Sequence, residues 1–312
     1  MARGRNPQTK QRDTISASSK EIIQMKNILI FGVGLIGGSI ALKSKHTNLF
    51  KQVVAVERKN GTPLSPFVAS GMLDHISINL ENDIANADLI IIATPVAQIY
   101  EILKNIYPYL KVNTVITDVG STKSNVMGDA TKALKEKSIQ FIGSHPIAGS
   151  EKHGPKAAII DLFEGKNIIV TPPTKAPDFM KERINKFWST MGGHITVMTP
   201  KDHDEIFSTV SHLPHILAFS LVNLINNNNN KEALLNFAAS GFRDFSRIAA
   251  SSPEVWRDIS IANKDAILND LKLYQNELIK IIGLINNEDQ GGLKNYFTNA
   301  SSTRQSWVAK KN

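Results

Sequence analysis

Cysteine is absent from the 312-residue sequence. That excludes disulfides, thiolate nucleophiles and cysteine-type zinc sites, and it suits a reducing compartment. Long apolar runs are also missing. The longest mostly apolar stretch, Ile28 to Leu42, is interrupted by four glycines and falls short of the ~20 residues a spanning helix needs, so no membrane segment is expected. The first 25 residues lack the apolar core of a secretory signal. They are basic and rich in Ser and Thr like a transit peptide, but Asp13 and Glu21 count against that reading. A cytoplasmic location is the default expectation. Acidic residues are fewer than basic ones, giving a net charge of +8. Residues 1–25 and 301–312 carry +3 each, which leaves only +2 for the body. Charge confined to the ends, with no reading motif beside it, argues against nucleic acid as a partner.

The 42% hydrophobic and 21% charged residues are those of a globular chain able to bury a core. Short apolar runs such as "KNILIF", "QVVAVE" (52–57), "ADLIIIATP" (87–95), "NTVITDVGS" (113–121) and "QFIGSHP" (140–146) alternate with helical segments, including one near 122–137. "NIIVTPP" (167–173) and "HITVMTP" (194–200) flank a further helix near 177–191. This is the pattern of a doubly wound parallel sheet covered on both faces, an α/β domain of the Rossmann type. After Thr199 the pattern changes. Thr199 as N-cap, Pro200 at the first helical position and Asp202 in the first turn open a helix. Further helices are expected near 231–240, 253–262 and 264–286, with no strand among them. The expected division is a basic disordered tail over 1–25, a dinucleotide-binding domain over 26–198, a helical domain over 199–290 and a loosely attached tail over 291–312. The first helix of the second domain is apolar on more than one face, so a homodimer through that domain is expected.

Gly32-Val33-Gly34-Leu35-Ile36-Gly37 is a G-x-G-x-x-G that follows a strand and opens a helix, and Glu57 ends the next strand. That context makes it a dinucleotide fingerprint. Gly32 permits the tight turn, Gly34 lets a pyrophosphate approach the backbone, and Gly37 lets helix and strand pack closely. Leu35 and Ile36 lie in the same phosphate-facing turn. Glu57 suits the two ribose hydroxyls of NAD. Arg58 leaves NADP open, because an arginine there pairs with a 2′-phosphate or stacks on adenine. Thr94, Pro95 and Val96 close the third strand, where the nicotinamide half passes, and are expected cofactor neighbours.

Ligands of such sheets bind beyond the carboxyl ends of the strands. "SHPIAGS" and "DVGSTKS" both stand at such ends. A neutral His145 there suits proton removal from a hydroxyl while hydride leaves the same carbon, and Ser121 is placed to hold the imidazole or the substrate oxygen.

"GVGLIGGS", "DVGSTKS", "GSHPIAGSEKHG", "SHLPH" and "GFRDFSRIAASSPEVW", in this order, resemble the prephenate/arogenate dehydrogenase family of tyrosine biosynthesis, the cyclohexadienyl dehydrogenase type. The resemblance covers about 26–290. It implies a nucleotide-binding domain plus a helical dimerisation domain, and NAD(P)-linked oxidative decarboxylation with His145 acting on the ring hydroxyl. With both flanks short, no fused regulatory or chorismate mutase domain is expected. By resemblance, Arg247 binds a substrate carboxylate, a task its fork suits; Arg243 reads as structural. His215 faces the substrate side chain, and His212 supports the pocket. His203 either does likewise or lies on a helix surface. Glu151 resembles a gate residue with Asp244 and Trp256 as partners. His212 and His215 have metal-ligand spacing but no evident third ligand, so no metal is expected. Two other readings stay open: a 3-hydroxyacid or 6-phosphogluconate type dehydrogenase, for which Lys123 would be the catalytic lysine, and a non-catalytic NAD-binding protein.

Overall fold

The computed structural model describes residues 25–59, 61–149 and 154–309. Five strands form the first sheet: β1 Asn27–Phe31, β2 Gln52–Val56, β3 His75–Ile76, β4 Leu89–Ile92 and β5 Val115–Asp118. Their order is β3-β2-β1-β4-β5, and every pairing is parallel. The two-residue β3 was not expected, being too short for an apolar run to announce it.

Period-2 alternation sends successive side chains to opposite faces, and two separate cores result. Ile28, Ile30, Val53, Ala55, Leu89, Ile91 and Val115 point into one. Leu29, Phe31, Val54, Ile90, Ile92 and Ile116 point into the other. The first is covered by Ile40 and Ala41 of α1 (Leu35–His46) and by Ile184, Phe187 and Trp188 of a later helix. The second is covered by Ile99, Leu103 and Ile106 of α2 (Ile99–Ile106) and by Val126, Ala130 and Leu134 of α3 (Ser124–Leu134). Near-continuous apolar strands are what burial on both faces requires.

The remaining strands depart from the single parallel sheet. β6 Gly143–Pro146, β7 Asn167–Thr171 and β8 His194–Val197 form a second sheet in that order. It is tied to β5 by one bridge, Ile116 to Phe141. β7 and β8 are parallel because α4 (Asp178–Thr190) crosses between them, but β6 and β7 are antiparallel. Parallel neighbours need a crossover of a dozen or more residues, usually a helix. Among the described residues between β6 and β7, the only helical piece is the turn Pro155–Ala157. Pro146 sits in β6 at the sheet edge, where its missing N–H costs no ladder bond.

The second half is helical: α5 Pro200–Phe207, α6 Leu213–Asn226, α7 Pro253–Ala262, α8 Lys264–Asn286 and α9 Gln290–Ala309, with shorter helices Lys231–Asn236 and Ser240–Ser246. Thr199 caps α5 as its sequence requires, its Oγ1 accepting from the Asp202 N–H at 3.1 Å. α5 and α6 are joined by a π-helical turn, Ser208–His212. Pro214 explains the widened turn, since proline cannot donate to the carbonyl four residues back. Residues 290–309 correct the expectation of a loose tail: they form α9 and pack on α8. Pro200–Asn226 is by length and composition apolar enough to cross a membrane, longer than the Ile28–Leu42 stretch, yet only 17% of its apolar window is buried within the single chain. The expected disordered tail falls almost wholly outside the described residues.

Candidate active site

The strand order reverses between β1 and β4, so the crevice beyond their carboxyl ends is the ligand position of this sheet. Gly32 lies there at φ +89°, a conformation that disfavours a side chain. A Cβ on it would also stand 2.7 Å from the Ala93 carbonyl oxygen. A Cβ on Gly37 would collide with the Gly32 carbonyl oxygen. Gly34 is different: nothing lies within 4 Å of its Cβ position. It opens α1 with no side-chain cap, leaving the first N–H groups of Leu35, Ile36 and Gly37 free for an anion. The residues thus fit a dinucleotide. Thr94 packs on Gly32, and Val96 packs on Gly120 across the crevice; Pro95 is exposed between them. Glu57 is exposed at the end of β2, where one carboxylate oxygen accepts the Leu64 N–H at 2.5 Å. Arg58 is exposed and folds against Gly61.

His145 lies beside this crevice on β6. The strand is locked from its other face. The Ser144 N–H donates to Asp118 Oδ1 at 3.1 Å. The Ser144 hydroxyl oxygen accepts from Thr117 Oγ1 at 2.8 Å and from Trp188 Nε1 at 3.0 Å. Asp118 also forms an ion pair with Lys123, and both side chains are fully buried. Burial pushes the Lys123 ammonium below its usual pKa, against the opposing pull of Asp118.

The His145 imidazole meets the helical half. Its Nδ1 lies 2.8 Å from His203 Nε2. His203 Nδ1 lies 2.8 Å from Asp204 Oδ1. Asp204 accepts in addition the backbone N–H groups of Lys123 and Ser124, each at 2.8 Å, and so serves the start of α3 from α5. Phe207 covers both rings, with centroids 4.9 Å from His145 and 4.6 Å from His203. Burial first, then the charges of His203, Lys123 and His212, hold His145 well below the ordinary histidine pKa. His203 is lowered by burial despite Asp204. His203 is therefore no helix-surface residue: it is wholly buried.

No hydrogen bond joins the Ser121 hydroxyl to His145 among the described residues; His203 occupies the place expected of it. Ser121 is partly exposed, with its backbone beside His212. His212 is buried, and its Nδ1 accepts from Asn263 Nδ2 at 3.1 Å. Burial lowers its pKa to about 4, with Asp204 opposing the shift. His215 stacks on Trp256 at 3.8 Å and donates from Nδ1 to the Ser211 carbonyl. Burial lowers its pKa too, and the positive charge of Arg247 adds to the effect. Arg247 itself is exposed, on the turn Arg247–Ala250 packed against α6, and forms no ion pair among the described residues. Asp244 pairs loosely with Arg243, at 3.9 Å. Trp256 carries the stacked His215 ring; Glu151, expected to meet Asp244 and Trp256, lies outside the described residues. α7 touches the Val96–Gln98 turn, bringing the helical half to the crevice. Among the described residues, no group of three His, Cys, Asp or Glu could hold a metal.

Two matches cover this architecture from residue 40 to residue 299. The nucleotide-binding domain of prephenate dehydrogenase matches residues 40–197, and the dimerization domain of prephenate dehydrogenase matches residues 199–299. The chain belongs to the prephenate dehydrogenase family. It is 38% identical to prephenate dehydrogenase of Bacillus subtilis over 90% of this chain and 76% of that one. It is 30% identical to cyclohexadienyl dehydrogenase of Zymomonas mobilis over 89% of this chain and 95% of that one. Its fold is similar to A. aeolicus prephenate dehydrogenase, solved in complex with hydroxyphenyl propionate and NAD+, with TM-score 0.84, 32% identity, and coverage of 90% and 98% of the two chains. Sequence reasoning alone missed Asp204 and the Asp118–Lys123 pair. In "PKDHDE" Asp204 reads as one more acid near a helix start, and only the packing of α5 on α3 distinguishes it.

Proposed function

We propose that this chain carries out NAD-linked oxidative decarboxylation of prephenate to 4-hydroxyphenylpyruvate, or of arogenate to tyrosine, in the cytoplasm and as a homodimer through the helical domain. The division near residue 199 then separates cofactor binding from substrate anchoring. A bound nicotinamide supplies the hydride acceptor. The chain supplies position and a base. Gly34 and the start of α1 hold the pyrophosphate, Glu57 the ribose hydroxyls, and Thr94, Pro95 and Val96 flank the nicotinamide half. The exposed Glu57 carboxylate repels a 2′-phosphate, which favours NAD over NADP. Arg247, exposed and without an ion pair among the described residues, anchors a substrate carboxylate bidentately. His215 and the buried His212 shape the pocket, and Ser121 is left for the substrate oxygen. His145 takes the hydroxyl proton as the carbinol hydrogen departs with its electron pair. When the ring carboxylate leaves as carbon dioxide, its bonding pair stays in the ring, and the proton returns to the oxygen of the now aromatic product. We read the apolar Pro200–Asn226 as a dimer face.

The observation that carries this reading is His145, a depressed-pKa histidine fixed by one ring nitrogen at the edge of the dinucleotide crevice. The lysine-based alternative is disfavoured because Lys123 is fully buried and paired. The test is cofactor reduction with prephenate, arogenate and 6-phosphogluconate in parallel, for wild type and His145→Asn. Turnover with a cyclohexadiene substrate that falls roughly 10²–10⁴-fold in the variant, with cofactor binding kept, is expected. Turnover of 6-phosphogluconate alone, or an undiminished variant, overturns the reading.

A further inference from the structure

The chain of contacts His145–His203–Asp204 has a direction. Asp204 accepts two backbone N–H groups besides His203. Those bonds, with the one to His203, hold its carboxyl below the usual pKa, although burial pulls the other way. An ionised carboxylate only accepts, so His203 Nδ1 must carry a proton. A neutral His203 then has its lone pair on Nε2. That nitrogen faces His145 Nδ1 at 2.8 Å, and two lone pairs do not face one another at that distance. His145 Nδ1 is therefore the donor. In a neutral imidazole the other nitrogen, Nε2, then holds the lone pair. It makes no protein hydrogen bond among the described residues.

We propose that His203 and Asp204 are positioning residues for His145: they fix its tautomer with the proton on Nδ1 and present Nε2 as the base. This rests on the function proposed above and names what makes its base competent. The contact is also conditional. His145 and the backbone N–H groups of Lys123 and Ser124 belong to the nucleotide-binding half, whereas His203 and Asp204 ride on α5. The single Asp204 carboxylate both orients His203 and caps α3, so the tautomer is set only when α5 is docked. As the proton arrives at Nε2, the positive charge on His145 is partly offset through its Nδ1–H bond to His203, which Asp204 polarises. The charged and titratable groups facing His145 and His203 are Asp204, Lys123 with Asp118, and His212.

The primary experiment is nitrogen-15 NMR of the ring nitrogens in wild-type holoprotein, with His145 assigned by the signal lost in His145→Asn. A protonated Nδ1 and bare Nε2 on His145 are expected; the opposite tautomer overturns the proposal, and this measurement needs no position-203 variant to fold. The second arm compares His203→Leu with His203→Gln. Leucine removes the acceptor, so His145 should populate both tautomers and kcat should fall roughly 10-fold or more, up to the ~10²–10⁴ that loss of a general base costs. The KM for cofactor should stay within about threefold, because no cofactor-binding residue in the reading above is altered. Glutamine keeps an oxygen acceptor for Nδ1–H and should restore the tautomer and part of kcat. A folded His203→Leu with wild-type turnover, or a glutamine variant no better than leucine, defeats the proposal. If instead His145→Asn itself retains full turnover, the reading of His145 as the base has failed, and the tautomer result stands separately.

Discussion

All members of both core clusters in the α/β half lie between Met25 and Met191. In the helical half, the buried apolar side chains among the described residues are Phe207, Ala218, Ile259 and Ile267. The 23-residue α8 buries only Ile267 and Asp270, and the 20-residue α9 buries nothing. Leu278, Ile282 and Ile285 follow an i, i+4, i+7 spacing on α8 and stand 44%, 53% and 56% exposed. The first half closes its core within one chain because parallel strands feed helices onto both faces. The second half presents one apolar side of a core whose other side must come from elsewhere, which accords with its match to a dimerization domain. The buried Asp118–Lys123 ion pair belongs to the first half, and the exposed Arg247 to the second.

That contrast is sharpest at Asp118. Asp118→Ala leaves the Lys123 ammonium buried without its partner and strips two backbone N–H groups of their acceptor. Breaking a buried pair costs about 3–5 kcal/mol, so denaturant melts should show the largest loss of stability here; an unchanged midpoint would mean the pair lies outside the folding core. The helical half should respond to concentration instead. Ile282→Glu places a carboxylate on the α8 face, and sedimentation should show monomer where wild type is dimer, with the α/β half still binding cofactor. A dimeric variant would move the interface off this face.

Acid should act on the junction between the halves. His212 has a folded pKa of about 4 against an ordinary 6.5. The unfolded chain therefore binds more protons between those values, and stability falls as pH drops from about 6.5 to about 4. The contribution of His212 is roughly 3 kcal/mol once pH is below both values. His145, His203 and His215 shift in the same direction. His212→Gln should flatten this limb of a melting-temperature profile, and a limb with identical slope would assign the loss to other groups.

Smaller effects separate binding from stability. Arg247→Ala removes an exposed side chain that forms no ion pair among the described residues, so the melting temperature should hold while substrate KM rises roughly 10–150-fold, the ~1.5–3 kcal/mol of a charged hydrogen bond. Arg247→Lys should recover part of that, lacking the bidentate fork. A lower melting point with unchanged KM would make the arginine a brace. Glu57→Ser should narrow the ratio of NAD to NADP affinity, by about tenfold if one charged contact of ~1.4 kcal/mol is lost. A wild type that already favours NADP would hand the choice to Arg58.

The sequence by itself determined the elements whose causes are local. Apolar runs of four or five residues become strands buried on both faces. Thr199 and Pro200 start α5 where their cap and missing N–H demand it. The spacing of Gly32, Gly34 and Gly37 encodes a phosphate turn, because it stands between an apolar strand and the start of a helix. "SHPIAGS" located His145, since a histidine in such a loop has no local structural task. Only the tertiary structure decided what depends on contacts between distant segments. The reversal of β6 against β7 follows from the lack of a crossover helix between them, and α9 is ordered by packing on α8. Asp204 and His203 reach His145 from 58 or more residues away. A carboxylate next to a histidine at the start of a helix looks the same in sequence whether it faces water or directs a proton; the packing of α5 against α3 and β6 removes the water and leaves a single arrangement of donors and acceptors.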